Sequence, residues 1–216
     1  EQILPKQKLA VLSGPTFAAE VAREKPTAVT LACTNSKISK RLAQALVTPR
    51  FRIYQSADMI GAEVGGAVKN VIAIACGIVQ GRGLGDNARA AIITRGLAEM
   101  ARLSLAKGGR QETLMGLSGI GDLTLTCNAM QSRNFSLGVA LGVGESLSDI
   151  LMERNSVAEG VDTAAAVKAL ANQLPVEMPI CCAVDDIVNH NADTDATIAR
   201  LLARPIGMDS PLDFRK

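Results

Sequence analysis

At 216 residues and 48% hydrophobic content the chain can bury a sizeable core, which excludes disorder and leaves room for one large domain or a domain plus part of another. A net charge of +2 in mixed signs and only five aromatic side chains, four Phe and one Tyr, argue against nucleic acid as a partner, since such a groove needs a basic track and rings for stacking. The five cysteines are odd in number and lack metal-ligand spacing, so reduced cytoplasmic thiols are expected rather than a disulfide framework or a metal site.

Residues 8–12, 27–33 and 51–55 are apolar or β-branched and bounded by Pro, Asn, Ser and Gly, the pattern of short strands, and Ser36 to Val47 reads as a helix between the last two. This character over residues 1–56 is that of the tail of an α/β domain. The strand-like opening at Glu1, without a methionine, predicts a piece of a longer protein. From Ala57 the period becomes helical, with helices predicted near 58–80, 87–107, 134–143, 146–155, 161–173, 178–190 and 193–202. Residues 57–216 are therefore expected to form an all-helical domain. The longest apolar stretch, Val68 to Val79, is about twelve residues and carries Lys69 and Asn70, too short and too polar to span a bilayer. No signal or anchor segment is visible.

Ser13-Gly14-Pro15-Thr16-Phe17-Ala18 follows a strand and precedes a helix, so its amides and the Thr16 hydroxyl could approach a ligand at the strand's carboxyl end. In Gly65-Gly66-Ala67-Val68-Lys69-Asn70 an amine stands in a long apolar helix beside two glycines. Helical side chains lean toward the N-terminus, and residues three and four apart share a face, so the Lys69 side chain points over bare backbone. Each interior glycine costs roughly 1 kcal/mol relative to alanine, so a ligand or a second helix is expected to fill the gap.

Gly81-Arg82-Gly83-Leu84-Gly85-Asp86-Asn87 lacks the preceding strand and the glycine spacing of a dinucleotide loop, and is read as an interhelical turn with Asp86 or Asn87 as N-cap. In Gly119-Ile120-Gly121-Asp122-Leu123 the acid either caps a short helix or holds a cationic partner. Ser132-Arg133-Asn134 stands before a helix, where backbone amides, the helix dipole and an arginine fork favour a phosphate; a capped surface turn is the plain alternative. Glu159 reads as exposed, and His190, the only histidine, as a solvated residue late on its helix rather than a catalyst.

Gly14-Pro15-Thr16-Phe17-Ala18, the Gly65 to Asn70 run with Gly83-Leu84-Gly85-Asp86-Asn87, Gly121-Asp122-Leu123, Ser132-Arg133-Asn134 and Val157-Ala158-Glu159-Gly160 occur in one order. Together they resemble the bacterial NAD(P)-dependent glycerol-3-phosphate dehydrogenases, over about Leu9 to Met208. The resemblance implies a mainly α chain, with a C-terminal all-helical domain like that of 6-phosphogluconate dehydrogenase after the last β/α elements of an incomplete Rossmann domain. It implies reversible hydride transfer between NAD(P)H and dihydroxyacetone phosphate, giving sn-glycerol 3-phosphate for phospholipid synthesis. Lys69 matches the catalytic lysine, which also touches substrate. Gly14, Thr16, Asp122, Ser132, Arg133 and Asn134 match substrate-binding positions, with serine replaced by threonine at Thr16. Ala18, Arg133, Val157 and Glu159 match positions along the cofactor. The family's glycine-rich phosphate loop and a further substrate lysine would precede Glu1, so the chain alone is expected to lack turnover. A related two-domain 3-hydroxyacid-type dehydrogenase and a non-catalytic helical oligomerisation module are the competing readings. The preference between NADH and NADPH and the oligomeric state, a homodimer among the options, stay open.

Overall fold

A computed structural model describes residues 7–153 and 158–205. In chain order its elements are β1 (Val11–Ser13), α1 (Ala18–Val21), β2 (Thr27–Ala32), α2 (Ser36–Leu46), β3 (Phe51–Ser56), α3 (Met59–Gly81), α4 (Gly85–Ala106) and α5 (Gln111–Leu114). A π turn (Leu117–Gly121) then leads into α6 (Asp122–Cys127), α7 (Arg133–Val143), α8 (Leu147–Glu153), α9 (Glu159–Gln173), α10 (Pro179–His190) and α11 (Thr194–Leu202). The protein is thus mainly helical with a small mixed sheet at its N-terminal end.

β1 pairs antiparallel with β2, and β2 pairs parallel with β3, so that Ser13, Thr30 and Tyr54 form one row across the sheet. The first strand is shorter than the sequence pattern predicts. Only Val11 to Ser13 find partners on β2 before Gly14, at φ +152°, turns the chain, and residues 8–10 stay exposed. α2 begins where the Asn35 side chain accepts from Ile38 N at 3.1 Å, and it is tied to β3 by Ser39 Oγ donating to Gln55 Oε1 at 2.9 Å.

α3 is the axis of the helical part. Asp58 caps it, accepting from Gly61 N at 2.9 Å, and the same carboxylate accepts from Arg110 N at 2.9 Å and Thr113 Oγ1 at 2.6 Å, which pins α5 to the start of α3. Burial works against the Asp58 charge, but these bonds outweigh it and hold its carboxyl below the usual range. By length and composition α3 could cross a membrane, yet most of it is buried among the other helices. Val71, Ile72, Ala73, Ile74 and Cys76 are all fully enclosed.

α7 runs beside the second half of α3 with backbone close to backbone. A Cβ on Gly77 would lie 2.1 Å from the Phe135 carbonyl oxygen, and one on Gly138 would lie 2.1 Å from that of Ile74. Gly81 and Gly142 repeat the contact one turn further on. Two glycine pairs spaced by four therefore fix the register of α7 along α3.

α4 starts two residues earlier than the sequence pattern predicts. Gly83 and Gly85 take φ of +66° and +87° and complete the turn, Leu84 occupies the N-cap position without a side-chain bond, and Asp86 pairs with Arg89 at 2.7 Å instead of capping. From α4, Glu99 reaches the start of α10, where its carboxyl accepts from Ile180 N at 2.7 Å and Cys181 N at 3.1 Å. At the other end of α10, Lys168 holds Asp185 and Asp186 at 2.8 Å each, and His190 lies exposed 3.1 Å from Asp185.

Candidate active site

The bare backbone beside Lys69 is filled differently at its two glycines. A Cβ on Gly65 would lie 2.0 Å from the Ser118 carbonyl oxygen, so the π turn seats directly on α3 there. At Gly66 a Cβ would meet only Ser13 Oγ, at 3.1 Å, so the end of β1 approaches without sealing the helix. Pro15, in the turn after β1, lies 3.7 Å from where a Gly121 Cβ would stand. The β1–α1 turn therefore spans from α3 to the π turn. π turns carry an extra residue per turn and recur at functional sites.

This arrangement delivers Asp122 to Lys69. The Lys69 Nζ lies 2.5 Å from Asp122 Oδ2, with 18% of the lysine side chain and 3% of the aspartate exposed. The lysine side chain is thus partly exposed and its acid is buried. Asp122 is the first residue of α6, but its side chain caps nothing there and turns to the amine instead. Of the two roles open to it from sequence, holding a cationic partner is the one seen. Burial pushes the Asp122 carboxyl above its usual value, against the opposing pull of the Lys69 ammonium and the hydrogen bonds from Lys69 and Thr126.

The N-termini of α7 and α9 converge beside this pair. Ser132 caps α7, its Oγ accepting from Phe135 N at 3.3 Å, and Asn134 Oδ1 accepts from Gly160 N at 2.9 Å, joining the two helix starts. Both side chains use an oxygen for this, which leaves the Ser132 hydroxyl hydrogen and the Asn134 amide nitrogen as further donors. Arg133 Nη2 lies 3.4 Å from Glu159 Oε1, and Asn70 Nδ2 lies 3.3 Å from Glu159 Oε2. Two helix N-termini and the Arg133–Glu159 pair thus meet beside Asn70, the neighbour of Lys69 on α3. Glu159 is exposed, as its sequence context predicts, but tied to Arg133 and Asn70.

The positions predicted from sequence are not equally close. Lys69 and Asp122 touch, and Ser132, Arg133, Asn134 and Glu159 form a second group linked to the first through Asn70. Gly14 lies in the turn opposite α3, and Thr16 Oγ1 donates to the Gly14 carbonyl at 3.1 Å. Ala18 is the exposed first residue of α1. Val157 lies outside the described residues. Two polar neighbours were given no role by sequence reasoning. Asn70 follows Lys69 directly, and Thr126, whose Oγ1 lies 3.4 Å from Asp122 Oδ1, stands four residues after the acid on the same helix face. That spacing is the signal that could have found Thr126.

Residues 58–199 match the family model of the NAD-dependent glycerol-3-phosphate dehydrogenase C-terminus, and residues 1–39 match that of its N-terminus. Glycerol-3-phosphate dehydrogenase [NAD(P)+] of Rhodospirillum rubrum is 59% identical over 96% of this chain and 59% of its own length. The Parvibaculum lavamentivorans enzyme of the same name is 59% identical over 93% of this chain and 60% of its own length. Among solved structures, glycerol-3-phosphate dehydrogenase from Coxiella burnetii superposes with a TM-score of 0.87 at 49% identity, covering 90% of this chain and 60% of that one. The Saccharomyces cerevisiae enzyme superposes with a TM-score of 0.78 at 29% identity, covering 87% and 57%. The chain spans about 59–60% of the length of these first two relatives. With residues 58–199 matched by its C-terminal model, the chain belongs to the NAD-dependent glycerol-3-phosphate dehydrogenase family.

Proposed function

We propose that the protein carrying this chain catalyses the reversible reduction of dihydroxyacetone phosphate to sn-glycerol 3-phosphate in the cytoplasm, supplying the phospholipid backbone. The observation that carries this reading is the partly exposed Lys69 side chain, its Nζ 2.5 Å from a buried Asp122, beside the helix N-termini that present Ser132, Arg133 and Asn134. In this reading residues 1–56 complete a nicotinamide-binding domain, and residues 57–216 supply the catalytic and substrate groups.

The donor set suits a nicotinamide cofactor. Arg133 offers a fork of N–H groups, Glu159 offers acceptors for ribose hydroxyls, and Ala18 adds no bulk beside the β1–α1 turn. When bound, NAD(P)H supplies the hydride. Arg133, with the α7 dipole and the donors of Ser132 and Asn134, binds the substrate phosphate. Gly14 and Thr16 bring the turn after β1 against the substrate's carbon chain. Lys69 donates its proton to the C2 oxygen as that carbon is reduced, and as the free amine it takes the proton back in the reverse direction. Asp122 holds the amine in place.

The test is Lys69→Ala in a full-length enzyme carrying these residues, with dihydroxyacetone phosphate and NADPH or NADH. Turnover is expected to fall by about 10²–10⁴, the usual worth of a positioned proton donor. An unchanged rate would remove Lys69 from the mechanism.

A further inference from the structure

We propose that Ser13 is a specificity-determining residue of this site, its hydroxyl hydrogen-bonding the unphosphorylated hydroxymethyl group of the substrate, an inference that rests on the dehydrogenase reading above. Ser13 ends β1 and is half-buried, with its Oγ held against Gly66 of α3, 3.1 Å from where a Cβ would stand. Gly66 lies three residues before Lys69, on the side toward which the lysine side chain leans.

The order of groups along α3 sets the assignment. The start of α7 stands level with Asn70, because a Cβ on Gly160, whose amide Asn134 holds, would lie 2.8 Å from the Asn70 carbonyl oxygen. Ser13 stands level with Gly66, about 6 Å nearer the helix start at 1.5 Å per residue. The Lys69 backbone lies between them, and its side chain leans from there toward Gly66. A three-carbon substrate with its phosphate at the α7 terminus and its carbonyl oxygen at the Lys69 ammonium therefore extends its remaining carbon toward Gly66. That carbon carries a hydroxyl, and Ser13 is the hydroxyl-bearing side chain that meets α3 there.

Ser13 also has the free valence the role needs. In the same turn the Thr16 hydroxyl already donates to the Gly14 carbonyl at 3.1 Å. Among the described residues no hydrogen bond engages the Ser13 hydroxyl, which can both donate and accept. Gly66 makes room for the pairing. Any larger residue there would push against Ser13 Oγ and occupy the space into which the hydroxymethyl group extends.

The experiment compares Ser13→Ala with the parent, both full-length, on dihydroxyacetone phosphate and on hydroxyacetone phosphate, in which a hydrogen replaces the free hydroxyl. The readout is the ratio of the two kcat/KM values, or of KM to the inhibition constant if the analogue is not reduced. That ratio does not depend on how much of each preparation is folded. Losing one hydrogen bond between neutral groups lowers kcat/KM for dihydroxyacetone phosphate by roughly five- to tenfold and leaves the analogue unchanged, so the ratio collapses by the same factor. Ser13→Thr, which keeps the hydroxyl, is expected to retain the discrimination. Equal losses on both substrates, or no loss on either, overturn the role of Ser13 and leave the dehydrogenase reading intact. A parent enzyme that does not reduce dihydroxyacetone phosphate overturns that reading, and with it this one.

Discussion

The two halves of α3 use the same residue type for opposite ends. In the first half Gly66 stays bare so that a hydroxyl from β1 can approach beside Lys69, and Asp122 and Asn70 add polar groups. In the second half Gly77 and Gly81 are bare so that the backbone of α7 can lie against the backbone of α3. Gly65, closed by the Ser118 carbonyl, belongs in kind with the second group although it stands in the first half. A glycine in a helix thus marks a close approach, and the atom that approaches decides whether it serves chemistry or packing. The halves also depend on each other. The glycine contacts of the second half carry the start of α7, with Arg133, into register with Lys69.

Substitutions in each half should separate rate from stability. Lys69→Met is expected to lower turnover of the full-length enzyme by about 10²–10⁴, equivalent to roughly 3–5 kcal/mol in the barrier, while changing unfolding free energy far less. Steady-state kinetics beside urea melts measure both. An active Lys69→Met enzyme would instead support a packing role for this face. Gly77→Ala inverts the pattern. Its new methyl would sit 2.1 Å from a carbonyl oxygen that has no flexible side chain to yield, so stability is expected to fall by about 3 kcal/mol or more. Gly65→Ala, at 2.0 Å from the Ser118 carbonyl, is expected to do the same. A denaturation midpoint for either variant equal to the parent's would break the contrast.

How much of this was legible from sequence follows from where the partners lie. Lys69 stood out because an amine and two glycines interrupt an apolar helical period, and that is a local signal. Ser132 was legible as the residue before a helix, and it does cap α7. Asp122 remained open between cap and partner because a π turn leaves no periodicity to read, and its direction decides the matter. Asp86 misled because glycine at 85 let the helix begin before the residue with the better capping side chain. Glu99 gave no signal at all. Its partners, the amides of Ile180 and Cys181, lie 81 and 82 residues away, and the backbone of a distant helix cannot be seen in local composition.

Glu99 and Asp122 repeat the contrast among buried acids, one holding a helix start and the other an ammonium. Burial pushes the Glu99 carboxyl up to about 7 from an ordinary value of 4.5, against the pull of the Ile180 and Cys181 amides and of Arg102. The folded protein therefore holds this proton more tightly than the unfolded chain. Its stabilising effect is complete below about pH 4.5 and is lost as pH rises toward 7, by about 3 kcal/mol in total. Glu99→Gln removes the titration, so unfolding free energies measured from pH 5 to pH 8 are expected to decline in the parent relative to the variant. Parallel pH profiles would mean that Glu99 ionises as an ordinary carboxyl.

Smaller effects are expected at the joined starts of α7 and α9. Asn134→Ala leaves the buried Gly160 amide without its acceptor and should cost about 2 kcal/mol, and Ser132→Ala removes a helix cap worth about 1 kcal/mol. Both should also raise KM for the phosphorylated substrate, which packing losses elsewhere would not.

The smallest change in stability and the sharpest test of the comparison is Gly66→Ala. Its methyl would meet only the Ser13 hydroxyl, at 3.1 Å, and a hydroxyl can rotate aside where a carbonyl in a helix backbone cannot. Alanine also favours the helix over glycine by about 1 kcal/mol, so the unfolding free energy should stay within about 1 kcal/mol of the parent's or rise. Activity should nevertheless fall, because the displaced hydroxyl and the added methyl both lie in the space on the Lys69 side of the helix. A variant that melts like the parent but reduces its substrate poorly would show Gly66 kept for catalysis. If instead Gly66→Ala loses stability as Gly65→Ala does, both glycines are packing devices and the first half of α3 differs from the second only in its lysine.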